Sequence, residues 1–382
     1  MGKRIIILGG GFGGLTAAHA LRKELGPEIK ITVVDRQPLF FMGLTKLWVL
    51  NGTRAVGERP GNRTLLPRRG VDFVEGEVIA IDPVGKVVQV GKQKLSCDYL
   101  IVALGAEYST ASTRGFSQYA KDLYTESGCA QIRDELRSLS SGSITILICG
   151  LPFKCPPAPY EAAFLVDGLL RTRGVRANIS MRIVTPEPHP LTILGAEAGK
   201  RVTNLLTEKQ IEYHPSERVS EIHRGTVVTE SGKQFSQTLL LAVPKHVAPD
   251  VLRKGGLIDE SGWIPVNPKT LATKYQGVFA IGDCAGTKNA KGQLIPRAGI
   301  LAEEEGKVVA ANLIREITGA GTAEEFKGKG VCFMETGGEM AAPVRANFFA
   351  EPAPTWEFVA PSKRGFIEKK EFVESRMKSW FG

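Results

Sequence analysis

The chain has 382 residues, 43% of them hydrophobic and 23% charged, with a net charge of +9. That length exceeds one ordinary core, so two or three domains are expected of an otherwise globular composition. No apolar run approaches the roughly 20 residues needed to cross a bilayer, which excludes a membrane-spanning helix. The basic excess leaves three anionic partners open, namely nucleic acid, a membrane surface, and a cofactor or substrate.

The first predicted element is a strand, Ile5 to Leu8, apolar throughout as a strand buried on both faces should be. Because it begins almost at once, no export segment is expected. It runs into a glycine loop in which Gly9, Gly11 and Gly14 satisfy G-x-G-x-x-G. A helix from Leu15 to Leu25 and a second strand, Ile31 to Val34, follow, and Asp35 ends the unit. Gly9 permits the tight turn, Gly11 lets backbone approach a pyrophosphate, and Gly14 allows close helix-to-strand packing. The helix N-terminus faces the phosphates, and Asp35 can accept from ribose hydroxyls.

Asp98 to Ala106 predicts another buried strand, ending in a turn at Gly105. Cys129 stands at the start of a predicted helix, Ala130 to Leu139. Ser143 to Gly150 then looks like a second first strand of a dinucleotide fold, yet its glycine loop is missing. The chain instead reads Leu151-Pro152-Phe153-Lys154-Cys155-Pro156-Pro157-Ala158-Pro159-Tyr160-Glu161. Prolines remove the N–H donors that would hold phosphate, so nicotinamide binding is not expected here. Cys155 sits in a stiff loop before a predicted helix, Tyr160 to Leu170, whose N–H groups should lower its pKa and favour the thiolate. Glu161 is either a proton shuttle or a first-turn carboxylate favoured by the helix dipole.

Gly277 to Ala285 is a further strand, ending at Gly282 and Asp283. Arg297 precedes a helix running to about Ile317. Cys332 lies in Gly328 to Gly337, next to Phe333. The tail, 363–382, predicts a basic helix with Phe366, Val373, Met377 and Trp380 on one stripe. That pattern suits a membrane interface, the alternative being a helix packed on its own core or at a dimer interface. Of the six cysteines, Cys97, Cys149 and Cys284 read as small buried residues. The five histidines have no metal spacing, so no metal and no catalytic histidine are assigned.

Five stretches carry a resemblance. The segments ending at Gly105 and at Asp283 resemble the late markers of FAD-dependent pyridine-nucleotide-disulfide-type reductases. The Cys155-Pro-Pro-Ala-Pro-Tyr-Glu161 run resembles that of sulfide:quinone oxidoreductases and of the flavocytochrome c sulfide dehydrogenase flavoprotein. The Cys332 segment and the spacing Gly365-x-x-x-Lys369-x-x-Phe372 resemble the same family. The resemblance implies an α/β fold with two Rossmann-like domains and a small C-terminal domain bearing an amphipathic helix. Its expected divisions are 1–108 with 238–305 for FAD, 109–237 for the redox-cysteine loop, and 306–382 for the C-terminal domain.

It further implies an FAD enzyme with Asp283 on the ribityl chain and Arg297 near the pyrimidine edge. Cys155 and Cys332 would form a disulfide or a sulfur-bridged pair on one face of the isoalloxazine. Sulfide would attack that pair, and electrons would pass through the flavin to a quinone on its other face, against Phe333. Some members have a third cysteine near the place of Cys129, and in some it reaches the flavin, so this residue either shares that role or only starts its helix. The implied partners are sulfide, quinone and a membrane surface at which the protein is peripheral; no nucleic acid is implied, and a homo-oligomer is left open. A covalent flavin tether as in the flavocytochrome enzymes is not expected, since Phe40-Phe41-Met42-Gly43 offers no cysteine. A flavocytochrome c-type sulfide dehydrogenase flavoprotein, a type II NADH dehydrogenase or a redox-sensing flavoprotein remains the alternative.

Overall fold

The computed structural model describes residues 2–58 and 60–382. Strand Arg4–Leu8 lies at the centre of a five-stranded parallel sheet, ordered Val278–Ala280, Tyr99–Val102, Arg4–Leu8, Lys30–Asp35, Asp72–Glu75. Its inner strands are apolar on both faces because helices and loops cover both. The first helix, Phe12–Glu24, crosses the long helix Gly299–Thr318 at backbone distance. A Cβ on Gly306 would stand 2.5 Å from the Gly13 carbonyl oxygen, so only glycine admits this approach.

A second parallel sheet is ordered Lys121–Asp122, Leu239–Val243, Gly142–Ile148, Ile179–Val184, Ile211–His214. Here the expected boundary needs correction. Leu239–Val243 was assigned to the first domain by the break at 238, but it pairs with Ile144–Ile148 inside the second sheet. Five buried apolar residues in a row need a neighbour on each side, and that sheet supplies them. The chain returns only afterwards, through Lys245–Val247 paired with Glu107–Ser109.

The C-terminal part is a three-stranded antiparallel sheet, Lys329–Gly337, Met340–Asn347 and Thr355–Phe358, closed by helix Lys363–Phe381. Ser362 caps that helix by accepting the Gly365 N–H at 3.0 Å. Helix Ala158–Thr172 packs on Lys329–Gly337, where Gly168 and Gly337 let the backbones meet. That contact carries the loop of Cys155 to the strand of Cys332.

The apolar stripe of the tail does not face outward. Val373 and Trp380 are buried, with Phe372 and Gly365 beside them, whereas Phe366 and Met377 are half-covered. The Trp380 ring sits edge-on to Phe12 at 5.0 Å and to Phe40 at 5.7 Å. The stripe closes the protein's own core, which is the alternative reading of this helix. Among the described residues no helix is long and apolar enough to cross a membrane.

Candidate active site

A cavity of about 240 Å³ opens where the first sheet, the cysteine loop and the C-terminal sheet meet. Its wall holds Gly11, Gly105, Gly282, Asp283, Arg297, Cys155, Cys332 and Phe333. These sequence-predicted residues, far apart in the chain, therefore share one space.

At the phosphate end, a Cβ on Gly14 would fall 1.9 Å from the Gly9 oxygen, so the loop folds only with glycine there. A Cβ on Gly11 would meet nothing within 4 Å. Open ground thus lies before the helix N-terminus, where an anion is favoured. Asp35 accepts from Gly10 N–H at 2.7 Å through Oδ2 and from Gln37 N–H at 2.9 Å through Oδ1. It holds the loop itself, with lone pairs left for a ribose. Arg63, which no spacing in the sequence marked, stands 3.6 Å from Asp35 and donates to the Gly10, Gln37 and Leu39 carbonyls.

At the other end, Gly282 N–H donates to Glu305 at 2.5 Å and Thr287 Oγ1 donates to it at 3.0 Å. Burial pushes the Glu305 carboxyl up to about 8. Arg297 Nε donates to the Asp283 carbonyl at 3.1 Å, and its guanidinium lies 3.6 Å over the Trp263 ring. Its Nη2 is buried without a partner, and desolvation lowers its pKa to about 10. A buried donor left unsatisfied in the wall of an open cavity calls for an acceptor on a bound group. The open helix end, the glycine floor and this donor fit the pyrophosphate and the polar ring edge of FAD.

Cys155 adopts φ +53°, a left-handed conformation costly for a side chain with Cβ. It is pinned by its N–H to the Arg297 carbonyl at 2.7 Å and by its own carbonyl, which accepts from Ala158 N–H at 2.8 Å. Cys332 lies mid-strand opposite Val344. Both are thiols, and burial, with negative charge on Cys155 added to it, raises the pKa of Cys332. Cys332 also borders a second, smaller cavity of about 40 Å³, walled by apolar groups such as Pro156, Pro157, Leu191 and Phe348.

The expected low pKa of Cys155 is corrected. Burial raises it, with Lys46 offsetting only part. The Ala158 N–H at the helix start does act to lower it, as does Lys369, but burial outweighs them. Cys129 lies behind the wall, fully buried, its thiol on the Leu123 carbonyl at 3.4 Å, and burial lifts it to about 12. Cys97 and Cys284 are buried and Cys149 half-buried, the apolar packing expected of all three.

Glu161 is buried under Lys369, whose Nζ lies 2.5 Å from Glu161 Oε1 and 2.6 Å from Glu335 Oε1. Phe333 lines the cavity with Phe372, their rings 5.6 Å apart. Several wall or near-wall groups escaped the sequence reading: Lys46 over Tyr124 at 4.3 Å, Lys154 over Tyr108 at 4.6 Å, and the buried His246 between both tyrosines. Lys369 alone had a signal, its place in the Gly365-x-x-x-Lys369 spacing.

Residues 3–306 match the pyridine nucleotide-disulphide oxidoreductase family. The chain belongs to that family. It is an oxidoreductase with FAD as cofactor, and the family's sheet, loop and helix are those described above. A sulfide-quinone reductase of Aquifex aeolicus is 24% identical, over 100% of this chain and 88% of its own. The mitochondrial sulfide:quinone oxidoreductase of Mus musculus is 23% identical over 94% and 81%. A type II NADH:quinone oxidoreductase of Staphylococcus aureus is 24% identical over 85% of each. The X-ray structure of the Aquifex aeolicus sulfide:quinone oxidoreductase superposes with a TM-score of 0.87 at 21% identity, over 99% of this chain and 92% of that one. At that identity the likeness speaks for the fold.

Proposed function

We propose that the protein oxidises sulfide to zero-valent sulfur or a polysulfide and passes the electron pair by way of FAD to a quinone. The observation that carries this reading is the convergence of Cys155 and Cys332 on the cavity that holds Asp283 and Arg297. A thiol pair at that place can take up sulfur, whereas Pro152 to Pro159 stand where a nicotinamide phosphate loop would be. FAD, when bound, supplies a two-electron acceptor beside the cysteines.

In this reading Cys155 and Cys332 cycle through a disulfide or sulfur-bridged pair. Hydrosulfide attacks one sulfur, the S–S bond breaks, and a persulfide forms on one cysteine with a thiolate on the other. The apolar second cavity at Cys332 suits neutral hydrogen sulfide and an uncharged sulfur chain better than an anion. Arg297 and the N-terminus of helix Gly299–Thr318 favour negative charge at the ring edge. Phe333 and Phe372 offer an apolar seat for a quinone, and the protein works as a peripheral membrane enzyme.

The test is anaerobic titration of the holoenzyme, followed by the flavin spectrum. Sulfide should bleach it stoichiometrically and NADH should not. Rapid bleaching by NADH would overturn the reading in favour of a type II NADH:quinone oxidoreductase.

A further inference from the structure

Four side chains from four elements meet beside the cysteines, three of them buried and the fourth, Trp48, half-buried. Lys369, with no exposed surface, lies between the Glu161 and Glu335 carboxylates at 2.5 and 2.6 Å. Trp48 Nε1 donates to the same Glu335 oxygen at 2.6 Å, and the Lys369 ammonium stands 5.7 Å from the Trp48 ring. Buried ion clusters are weak devices for stability, since apolar residues of similar volume serve as well. Two carboxylates against one ammonium leave a net negative charge where charge is costly, so the cluster favours one further proton. Trp48 holds Glu335 as an acceptor, whereas among the described residues the Glu161 carboxylate accepts from Lys369 alone. The exchangeable proton therefore rests on Glu161, whose carboxyl burial pushes up to about 7.

The cluster also has two ends. Glu161 and both cysteines act on one another, so a thiolate at Cys155 or Cys332 raises the proton affinity of Glu161. Lys46, on the short helix that carries Trp48, opposes this from the other side. At the far end, Glu335 follows Phe333 by two residues on one strand and so projects from the same face. Lys369 precedes Phe372 by one helical turn, and Phe333 and Phe372 line the cavity.

Resting on the sulfide:quinone reading, we propose that Glu161, Lys369 and Glu335 form a proton relay from the redox cysteines to the acceptor end of the cavity. The chemistry balances. Oxidising hydrogen sulfide to zero-valent sulfur releases two electrons and two protons, and reducing a quinone to its quinol consumes the same. Once Glu161 has handed on its resting proton, a proton leaving an S–H group re-forms the O–H bond at Glu161, and the electron pair stays on sulfur. Glu161 passes its proton to Lys369 Nζ as Nζ releases one to Glu335, which restores the ammonium and leaves Glu335 protonated for the Phe333 side.

Two measurements on the FAD-loaded protein test this. Infrared titration from about pH 5 to about pH 9 should show protonated-carboxyl C=O absorption that titrates near neutrality, and Glu161→Gln should lose one carboxyl's share of it while those of Glu187 and Glu305 remain. In kinetics, Glu335→Gln keeps an acceptor for Trp48 and Lys369 but takes up no proton. Its quinone turnover should fall at least ~10-fold relative to its own rate of sulfide bleaching, and the near-neutral limb of its pH profile should move to lower pH, because the Glu335 charge that raises the Glu161 carboxyl is gone. A band unchanged in Glu161→Gln, or a Glu335→Gln enzyme with the wild-type ratio and pH profile, would overturn the relay. Should Glu161→Gln not fold, Glu335→Gln still decides. Absence of any sulfide bleaching in the wild type would instead remove the sulfide reading on which the relay rests.

Discussion

Glu187 illustrates what burial does to a carboxyl with no cation beside it. It is held by the Tyr160 hydroxyl at 2.5 Å and by Thr185 Oγ1 at 3.3 Å, yet desolvation lifts it from 4.5 to about 7. An acid whose folded pKa is raised contributes stability that is whole below about 4.5 and is lost as pH climbs to about 7. The Glu187→Gln variant keeps the acceptor for Tyr160 without the charge. Over that window the wild type should lose about 3 kcal/mol more than the variant, at 1.36 kcal/mol per unit as an upper bound. Thermal unfolding at both pH values measures it, and parallel losses would show that Glu187 ionises freely in the fold. The redox pair makes a second prediction. Cys155→Ser and Cys332→Ser should each cut sulfide-dependent quinone reduction by about 100-fold or more, and the double variant should be only a few-fold worse, because residues that act as a unit are not additive. Independent, multiplying losses would separate the two thiols.

The elements were legible where one local rule governs them. The glycine loop, its strand and its helix announce themselves because each residue type there answers a backbone demand. The proline loop was legible by contrast, as a strand of the same kind without the glycines. Other elements answer to partners distant in sequence. Leu239–Val243 reads equally well as a strand of either sheet, and only pairing with Ile144–Ile148 decides. The pKa of Cys155 was misread because spacing shows a helix end but not the burial above it. Glu335 and Trp48 carry no pattern at all, since their meaning comes from Lys369 on another element. The C-terminal helix shows the same limit, for an apolar stripe states that something covers it and not what. Trp380 on Phe12 and Phe40 gives the answer a measurable form. Trp380→Ala should destabilise the protein by about 3–5 kcal/mol, read by denaturant unfolding. It should also weaken FAD retention, because Phe12 opens the helix that faces the phosphates. A change below about 0.5 kcal/mol, usual for surface positions, would return the stripe to the outside.

At the scale of the molecule, the charge of +9 is not spread evenly. A groove of about 660 Å³ between the first helix, the long helix and the tail is lined by Arg22, Lys23, Arg69, Lys307 and Arg376, against the single carboxylate of Glu303. Arg376 and Lys307 are engaged by Glu303, Lys307 also by Glu304 at 2.6 Å, and the exposed Lys23 lies 3.7 Å from Glu24. Arg22 and Arg69 rest on backbone carbonyls, Arg69 on that of Ser379 at 2.9 Å. Leu39 and Leu65 are exposed at 45% and 36%, on the strand pair and turn that meet the end of the tail through Phe40 and Phe381. With the tail stripe turned inward, the membrane contact that the proposed function requires is predicted to fall on this basic and apolar face. Vesicles containing anionic lipid should therefore bind the protein more tightly than neutral ones, and added salt should weaken the difference. Each surface cation contributes about 1 kcal/mol near anionic headgroups. The Lys23→Gln, Arg69→Gln double variant should thus lose about 2 kcal/mol, roughly 30-fold in binding, with its sulfide bleaching intact. Leu39→Ser with Leu65→Ser should remove the part of binding that salt leaves behind. Co-sedimentation reads both, and equal binding to neutral and anionic vesicles would place the lipid contact on another face.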